Sequence, residues 1–208
     1  MIGIELALDP ARLSEPILGW RAWTLTGSPR GEGLTLLPIG RTRPAWRPRE
    51  AAEATCPRRR AHAGVPGADC RCGLHAMQSA EPLRRARSPA VLGRVALWGR
   101  VIEHERGYRA RFGYPQRLRL VCPLCLWRWG VAASEACRVV VRHRGGRMVP
   151  LCGPHLELGR RYGYPMPARL DAAAVEAALL AAYAVELLPR ELTRPACRGS
   201  GAGPRPRA

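Results

Sequence analysis

The chain has 208 residues, 47% of them hydrophobic, and a formal net charge of +18. This length admits one ordinary domain or two small ones. No uninterrupted apolar run reaches the roughly 18 residues that cross a bilayer, and Met1–Pro16 lacks the pattern of a signal peptide. We therefore expect a protein of the reducing cytoplasm with no membrane span, in which the eight cysteines are metal ligands rather than disulfides.

The charge is unevenly distributed. All 34 basic residues are Arg, and residues 1–55 carry seven of them against six acids. Residues 84–147 carry fifteen Arg against three acids. A field of one sign favours a polyanion, and the guanidinium fork matches phosphate oxygens. The alternative is a solvated basic surface without a specific partner.

The N-terminal part reads as a small sheet. The segment Gly19–Leu25 predicts one strand and Leu34–Ile39 predicts a second, with a Gly/Pro turn between them. We expect Trp46 to close the edge of this sheet. The tryptophans are assigned to the core because exposed Trp is unusual.

A first group of candidate metal ligands lies in the loop 56–75. Its members are Cys56, His62, Cys70 and Cys72, in a stretch rich in Gly and Pro that has little other reason to be ordered. His75 is an alternative fourth ligand, because Cys72-x-x-His75 also has suitable spacing. The contrary interpretation is three unrelated thiols beside a surface histidine.

Two long strands follow. We expect a strand over Val91–Ile102, bent at its glycines, and a returning strand over Tyr108–Tyr114 with alternating aromatic and basic faces. This sheet is predicted to present six arginines to a nucleic acid: Arg94, Arg100, Arg109, Arg111, Arg117 and Arg119.

The second group of candidate ligands has the stronger spacing. Cys122 and Cys125 form one i, i+3 pair, and Cys152 and His155 form another after 26 residues that read as a β-hairpin. A short helix is expected after His155. Four such ligands close a tetrahedron around Zn²⁺ and leave no position for substrate, which indicates a structural site. The order of knuckle, hairpin and helix is typical of treble-clef zinc units.

The sequence Trp127-Arg128-Trp129 follows the first pair directly. Alternating Trp and Arg suits a surface that stacks single-stranded bases, although packing of both rings beneath the zinc is slightly favoured. Arg128, with Arg142 and Arg144 of the hairpin, completes the set of predicted nucleic-acid contacts. Cys137 is interpreted as a small buried apolar residue.

The clearest helix is C-terminal. Asp171 is a suitable N-cap, and an apolar i, i+4 stripe predicts a core-facing helix over Ala172–Leu188. From Thr193 the chain holds Arg, Pro, Gly and Ser with almost no large apolar residue, so a disordered tail is expected at 193–208.

Part of the chain resembles a known group. Gly19-Trp20-Arg21-Ala22-Trp23, Cys70-Arg71-Cys72-Gly73 and Leu97–Ala110 resemble a group of uncharacterised proteins from high-GC actinobacteria and some phages, over roughly residues 17–120. In that group an aromatic residue commonly stands where His75 stands here. The resemblance therefore favours His62 as the ligand, and it implies no activity.

These observations predict a small β-rich, zinc-stapled α+β fold with a treble-clef-like unit and a C-terminal helix. Its segments are a β-rich domain at 1–120, the zinc unit at 121–165 and the helix at 168–190. Two structural zinc ions per chain and binding of DNA, RNA or a nucleoprotein complex are expected, without catalysis.

Two other functions remain open on the sequence. One is a protein-interaction adaptor, in which zinc orders loops that contact a protein partner. The other is an HNH-type nuclease around His143, whose further metal ligands and general base are missing from the sequence.

Overall fold

A computed structural model describes residues 7–8, 15–28, 33–39, 45–56, 64–131, 134–161 and 169–191. These residues form a mixed α+β fold with a dominant sheet and a helix near the C-terminal end, as the sequence predicts. No helix in this part of the chain is long and apolar enough to cross a bilayer.

Within those ranges there are eleven strands and three α-helices. The strands are β1 Ala7–Leu8, β2 Ile17–Thr26, β3 Thr35–Pro38, β4 Ala52–Glu53, β5 Leu74–Met77, β6 Val91–His104, β7 Gly107–Leu120, β8 Val139–Arg142, β9 Arg147–Leu151, β10 Arg169–Asp171 and β11 Glu186–Leu187. The helices are α1 Pro123–Trp129, α2 Gly153–Arg161 and α3 Ala172–Tyr183. A short 3-10 helix covers Glu81–Arg85.

The centre of the sheet is a closed ring of four strands. The long antiparallel hairpin β6–β7 pairs on one side with β2 and on the other with β5. A bridge between Trp20 and Met77 joins β2 to β5 and closes the ring. Closure satisfies the edges that an open sheet would leave unpaired.

The β8–β9 hairpin, which leads directly into Cys152, is an extension of this ring. Strand β9 pairs with the end of β2, Leu25 opposite Met148, and β8 and β10 follow outward. The backbone of the hairpin is therefore continuous with the ring. Any contact that fixes the hairpin therefore also fixes the positions of α1 and α2 relative to the sheet.

Strand β6 is irregular near the predicted bends. Its register with β7 shifts between Arg94 and Val95 and again between Trp98 and Val101. Gly99 lies in the second shift with φ of +72°, a left-handed conformation that favours glycine. Such bulges increase the local twist and help a sheet to close on itself.

The largest of three hydrophobic clusters in the described chain joins the ring, the hairpin and α3. Trp23 and Trp46 meet edge to face at 5.4 Å in its centre, and both are fully buried. Val140 of the hairpin and Leu179 of α3 belong to the same cluster. The predicted segments thus share a core. The assignment of Trp20, Trp23 and Trp46 to the interior is confirmed, as is the edge pairing of Trp46 with Leu36.

The C-terminal helix begins as predicted and ends earlier. The Asp171 side chain accepts a hydrogen bond from the Ala174 amide at 2.8 Å, which is the expected N-cap. The helix stops at Tyr183, however, and Ala184 adopts a left-handed conformation. The next residues pair in parallel with β7 at Arg117–Leu118. Hydrogen bonding to this sheet edge outweighs the helix propensity of the apolar run, so the prediction of a helix to Leu188 is wrong.

The hairpin and the helix after it are confirmed with small shifts. Strands β8 and β9 lie within the predicted strands, and α2 begins three residues before the expected start at Leu156. The earlier start places His155 inside the first turn of α2. The predicted tail at 193–208 lies outside the described residues.

Removal of the Tyr183 hydroxyl should destabilise the fold. This buried hydroxyl accepts a hydrogen bond from the Leu36 amide at 2.9 Å and donates one to the Trp46 carbonyl. Tyr183→Phe leaves both backbone groups without that partner, so we expect a loss of about 1–3 kcal/mol in the free energy of unfolding, measured by urea denaturation.

Tyr114→Phe is the matched control. Its hydroxyl bonds the Arg49 amide at 2.8 Å and the Tyr183 carbonyl at 2.7 Å, but the site is partly open and water can replace it. We expect a loss below about 1 kcal/mol. Equal losses in the two variants would contradict the role given to Tyr183.

Candidate metal centres

Local sequence brings the first group of ligands together. Cys122 is the N-cap of α1, where Pro123 starts the helix, and Cys125 lies in its first turn. Cys152 precedes α2, and His155 occupies the first turn of that helix. Each i, i+3 pair therefore turns both side chains to one side of a helix start.

The four donor atoms form a compact buried group. His155 Nδ1 lies 3.5 Å from Cys122 Sγ, 3.3 Å from Cys125 Sγ and 3.1 Å from Cys152 Sγ. Cys125 Sγ and Cys152 Sγ are 3.5 Å apart, which is far beyond a disulfide bond. Ligands at about 2.0–2.3 Å from a tetrahedral ion are separated by roughly 3.3–3.8 Å. This group can hold a metal ion.

The electrostatics of this group suit a cation. Burial raises the pKa of the Cys125 and Cys152 thiols and lowers that of His155. Backbone amides of Glu135 and His155 hydrogen-bond to Cys125 and Cys152 and oppose the increase for those thiols. Neutral imidazole and amide-bonded sulfur are the forms that a metal binds, and a divalent ion offsets the repulsion between buried thiolates.

Cys137 is not a member of this group. It packs against the cysteine cluster and against the main core, and burial raises its pKa. Cys137 packs as a small apolar residue, as predicted, but it is half-buried rather than buried. The remaining cysteine, Cys197, lies outside the described residues.

The second group contains three of the predicted ligands. Cys56, Cys70 and Cys72 have sulfur atoms within 4.8 Å of one another, and the Cys56 and Cys70 sulfurs are 3.7 Å apart. The Gly67 amide donates a hydrogen bond to Cys72 Sγ at 3.3 Å. Three thiols with an amide donor can likewise hold a metal ion.

A buried arginine positions the loop that carries two of these thiols. The Arg109 guanidinium, on β7, donates to the Gly67 carbonyl at 3.0 Å and also to the Cys70 carbonyl. Gly73 follows with φ of +120°, where a Cβ would lie 3.1–3.2 Å from the side chains of Pro66 and Arg109. Only glycine gives the close approach that lets the loop enter β5.

The fourth ligand of this group is not fixed by the described residues. His62 lies outside them. The ring of His75 is turned away from the thiols, with Nε2 3.0 Å from the Arg71 carbonyl oxygen. The His75 ring nitrogens do not lie within 4.8 Å of all three sulfur atoms, so His75 does not join the group.

Two of the arginines expected to contact nucleic acid are inside the protein. Arg109 is 8% exposed and Arg119 is 5% exposed. Arg119 donates to the Val131 carbonyl and to the Ser134 hydroxyl. Alternation along β7 predicts that both side chains face solvent, but the 64–72 loop and the segment after α1 cover that face. These two residues must be removed from the predicted contact surface.

Other members of that set make contacts within the protein. Arg111 pairs with Glu53 at 3.0 Å, and Arg117 pairs with Glu186 at 2.8 Å. Arg94 lies over the Trp20 ring and is half-buried, as is Arg100. Arg128 and Arg142 are exposed. The side chain of Arg144 lies outside the described residues.

Of the two tryptophans after the first cysteine pair, Trp127 stands clear of the metal group and Trp129 lies beside it, so the prediction that both rings pack beneath the zinc does not hold for Trp127. Trp127 is 70% exposed, and Trp129 is 47% exposed with its ring centre 5.3 Å from that of His155. Arg85, Arg87 and Arg147 line the same groove as Trp127. These three arginines are not among the contacts predicted from the sequence, although all of them lie in the basic stretch 84–147.

The nuclease interpretation gains no support. His143 directly follows β8 in the turn of the hairpin and is half-buried. Among the residues the structure describes, neither candidate metal group includes it.

The chain matches no protein-family model, no curated protein and no solved structure. Its function has to be inferred from the donor sets, the burial and the surrounding charge.

We predict two metal ions per purified chain, and Cys152→Ser should lower this by one. A structural site of this kind contributes on the order of 10 kcal/mol to folding at pH 7, so the variant should also unfold at much lower denaturant concentration. Elemental analysis and guanidinium denaturation check both effects. Cys137→Ser is the control and should keep both ions. Full metal content in Cys152→Ser would refute the first site.

Variants of the second group test whether His62 or His75 is its fourth ligand. We expect Cys70→Ser and His62→Ala each to lose one metal ion while the first site stays filled. His75→Ala should keep both, because the His75 ring is turned to the Arg71 carbonyl. Metal content per chain is the measurement. Loss of an ion from His75→Ala, with none lost from His62→Ala, would reverse the assignment.

Proposed function

We propose that this protein uses two structural zinc ions to order a basic surface that binds nucleic acid. Zinc is the metal that best fits three thiols and one imidazole at tetrahedral separations. In the first group all four ligands are protein side chains and all are buried. An ion with four protein ligands has no open position for substrate, which supports a structural role.

The zinc unit is treble-clef-like in this proposal. A cysteine knuckle at α1, the β8–β9 hairpin and a ligand pair at the start of α2 follow in that order. Zinc would therefore hold α1 against α2 and against the hairpin. Side chains on the outer face of α1 would have fixed positions relative to the basic segment 81–88.

One observation carries the nucleic-acid proposal. Around α1 the exposed charges are overwhelmingly positive. Two grooves there are lined by arginines and by no carboxylate among the described residues. In contrast, the arginines on β7 are paired with acids or buried. A concentrated field of one sign attracts a polyanion and is balanced by its phosphates.

Binding should depend steeply on salt. Each arginine that contacts a phosphate releases counterions, so log Kd should rise linearly with log salt concentration. With three or four contacts we expect a slope of magnitude about 2–4 and roughly a 20- to 200-fold loss of affinity between about 50 and 200 mM salt. Fluorescence anisotropy with labelled oligonucleotides, single-stranded and duplex, DNA and RNA, measures this slope.

A poly-glutamate peptide of equal charge is the control. Its carboxylates also pair with guanidinium groups, but it has no bases to stack and no dense phosphate array with condensed counterions, so it should bind more weakly than the oligonucleotides. A flat response to salt with every oligonucleotide, or the absence of binding at low salt, would contradict the proposed function.

A further inference from the structure

Trp127 projects into solvent from a helix whose neighbouring residues are buried. It is the most exposed large hydrophobic side chain in the described ranges, at 70%. The preceding residues Cys125 and Leu126 are fully buried and fix the helix that carries it. An indole that stands in water on a helix anchored by buried neighbours offers its face to a ligand that can stack on it.

The ring stands between two grooves. One has a volume of about 590 Å³ and is lined by Arg85, Arg87, Arg147 and His143 together with Trp127. The other has a volume of about 630 Å³ and is lined by Arg84, Arg85 and Arg128 together with the same tryptophan. Trp127 and Arg85 are common to both. The indole therefore forms a ridge with basic walls on either side.

The charge of these grooves sets them apart from others on the molecule. Neither lining contains an acidic residue among the described side chains. Grooves beside β11 and α3, in contrast, include Glu186, Glu176 and Glu191. Glu81, the acid closest in sequence to Arg84 and Arg85, is paired with Arg84 at 3.2 Å. Arg85, Arg87 and Arg128 are exposed, and the first two make no ion pair within the part of the chain described.

The two sides of the groove lined by Arg85, Arg87 and Arg147 are joined by a hydrogen bond. Arg147, from the hairpin, donates a hydrogen bond to the Ser88 carbonyl at 3.3 Å. This contact joins β9 to the basic segment that follows the 3-10 helix. The first metal group fixes the opposite wall, because α1 and the hairpin both converge on it. The groove is thus shaped before any ligand arrives, which reduces the entropy lost on binding.

We propose that Trp127 is a stacking platform for an unpaired base, and that Arg85 and Arg87 contact the flanking phosphates. The ligand is single-stranded nucleic acid. This rests on the proposed function and narrows it. An aromatic face needs an exposed base face, which a duplex does not offer. The exposed arginines on either side of the ring match a backbone that passes along both grooves.

Substitution of the ring tests the proposal. Trp127→Ala should weaken binding of a single-stranded 12-mer by about 10-fold or more, in line with the loss of one base stack. Trp127→Phe should recover most of the affinity, because the aromatic face is retained. Duplex binding should change by less than about 2-fold in both variants. Because the side chain is exposed, metal content and thermal stability should be unaffected and are measured in parallel.

Charge substitutions locate the phosphate contacts. Arg85→Gln and Arg87→Gln should each lower the magnitude of the salt slope for single strands by about 0.7. Arg106→Gln is the matched control. It removes the same charge from an exposed position in the β6–β7 turn, at the other end of the hairpin from α1, and should leave the slope unchanged. DNA and RNA 12-mers of equal sequence are compared to identify the preferred sugar.

The outcomes separate this proposal from the broader one. Salt-dependent binding that is insensitive to Trp127→Ala, or a loss of duplex and single-strand affinity to the same extent, overturns the stacking platform and leaves the basic surface standing. No salt-dependent binding by the unmodified protein overturns both. An effect of Arg106→Gln equal to that of Arg87→Gln overturns the assignment of phosphate contacts to this groove.

Discussion

The arrangement of the C-terminal half depends on one electrostatic constraint. Three sulfurs and an imidazole nitrogen lie within about 3.5 Å of their neighbours in a pocket closed to water. Thiolates at this separation repel one another strongly in a medium of low polarity, and a divalent cation relieves the repulsion. The group joins α1, the hairpin and α2, while β9 joins the hairpin to β2. The tilt of α1, and with it the exposed Trp127, follows from that linkage.

Arginine has two distinct roles in this chain. Arg21 lies over the Trp46 ring at 5.0 Å and donates to the His75 carbonyl, and Arg109 bonds the loop of the second thiol group. These guanidinium groups bridge distant segments through carbonyl oxygens, where a lysine would supply fewer directed donors. Other arginines gather beside α1, where Glu81 pairs with Arg84 and no acid lines the two grooves among the described residues. The net charge of +18 therefore overstates the positive charge that is available to a polyanion.

Features with a short range in sequence were predictable. The i, i+3 ligand pairs and the Asp171 N-cap depend on residues three positions apart, and both hairpins join strands that are adjacent in the sequence. The end of α3 was not predictable in the same way. The residues after Tyr183 have helix propensity, but β7 offers backbone hydrogen bonds at Arg117–Leu118. A partner nearly seventy residues away decides that conformation.

The amino-acid sequence by itself determined the four members of the first metal-ligand group and the three thiols of the second, because the spacing of neighbouring side chains decides which of them can chelate one ion. Only the tertiary structure decided which arginines remain in water and which tryptophans are buried. Arg109 is buried because a loop more than thirty residues away in the sequence covers it. Trp127 is exposed because no described segment lies over its ring. Burial is a property of what lies opposite a side chain, and strand alternation carries no information about the opposite layer.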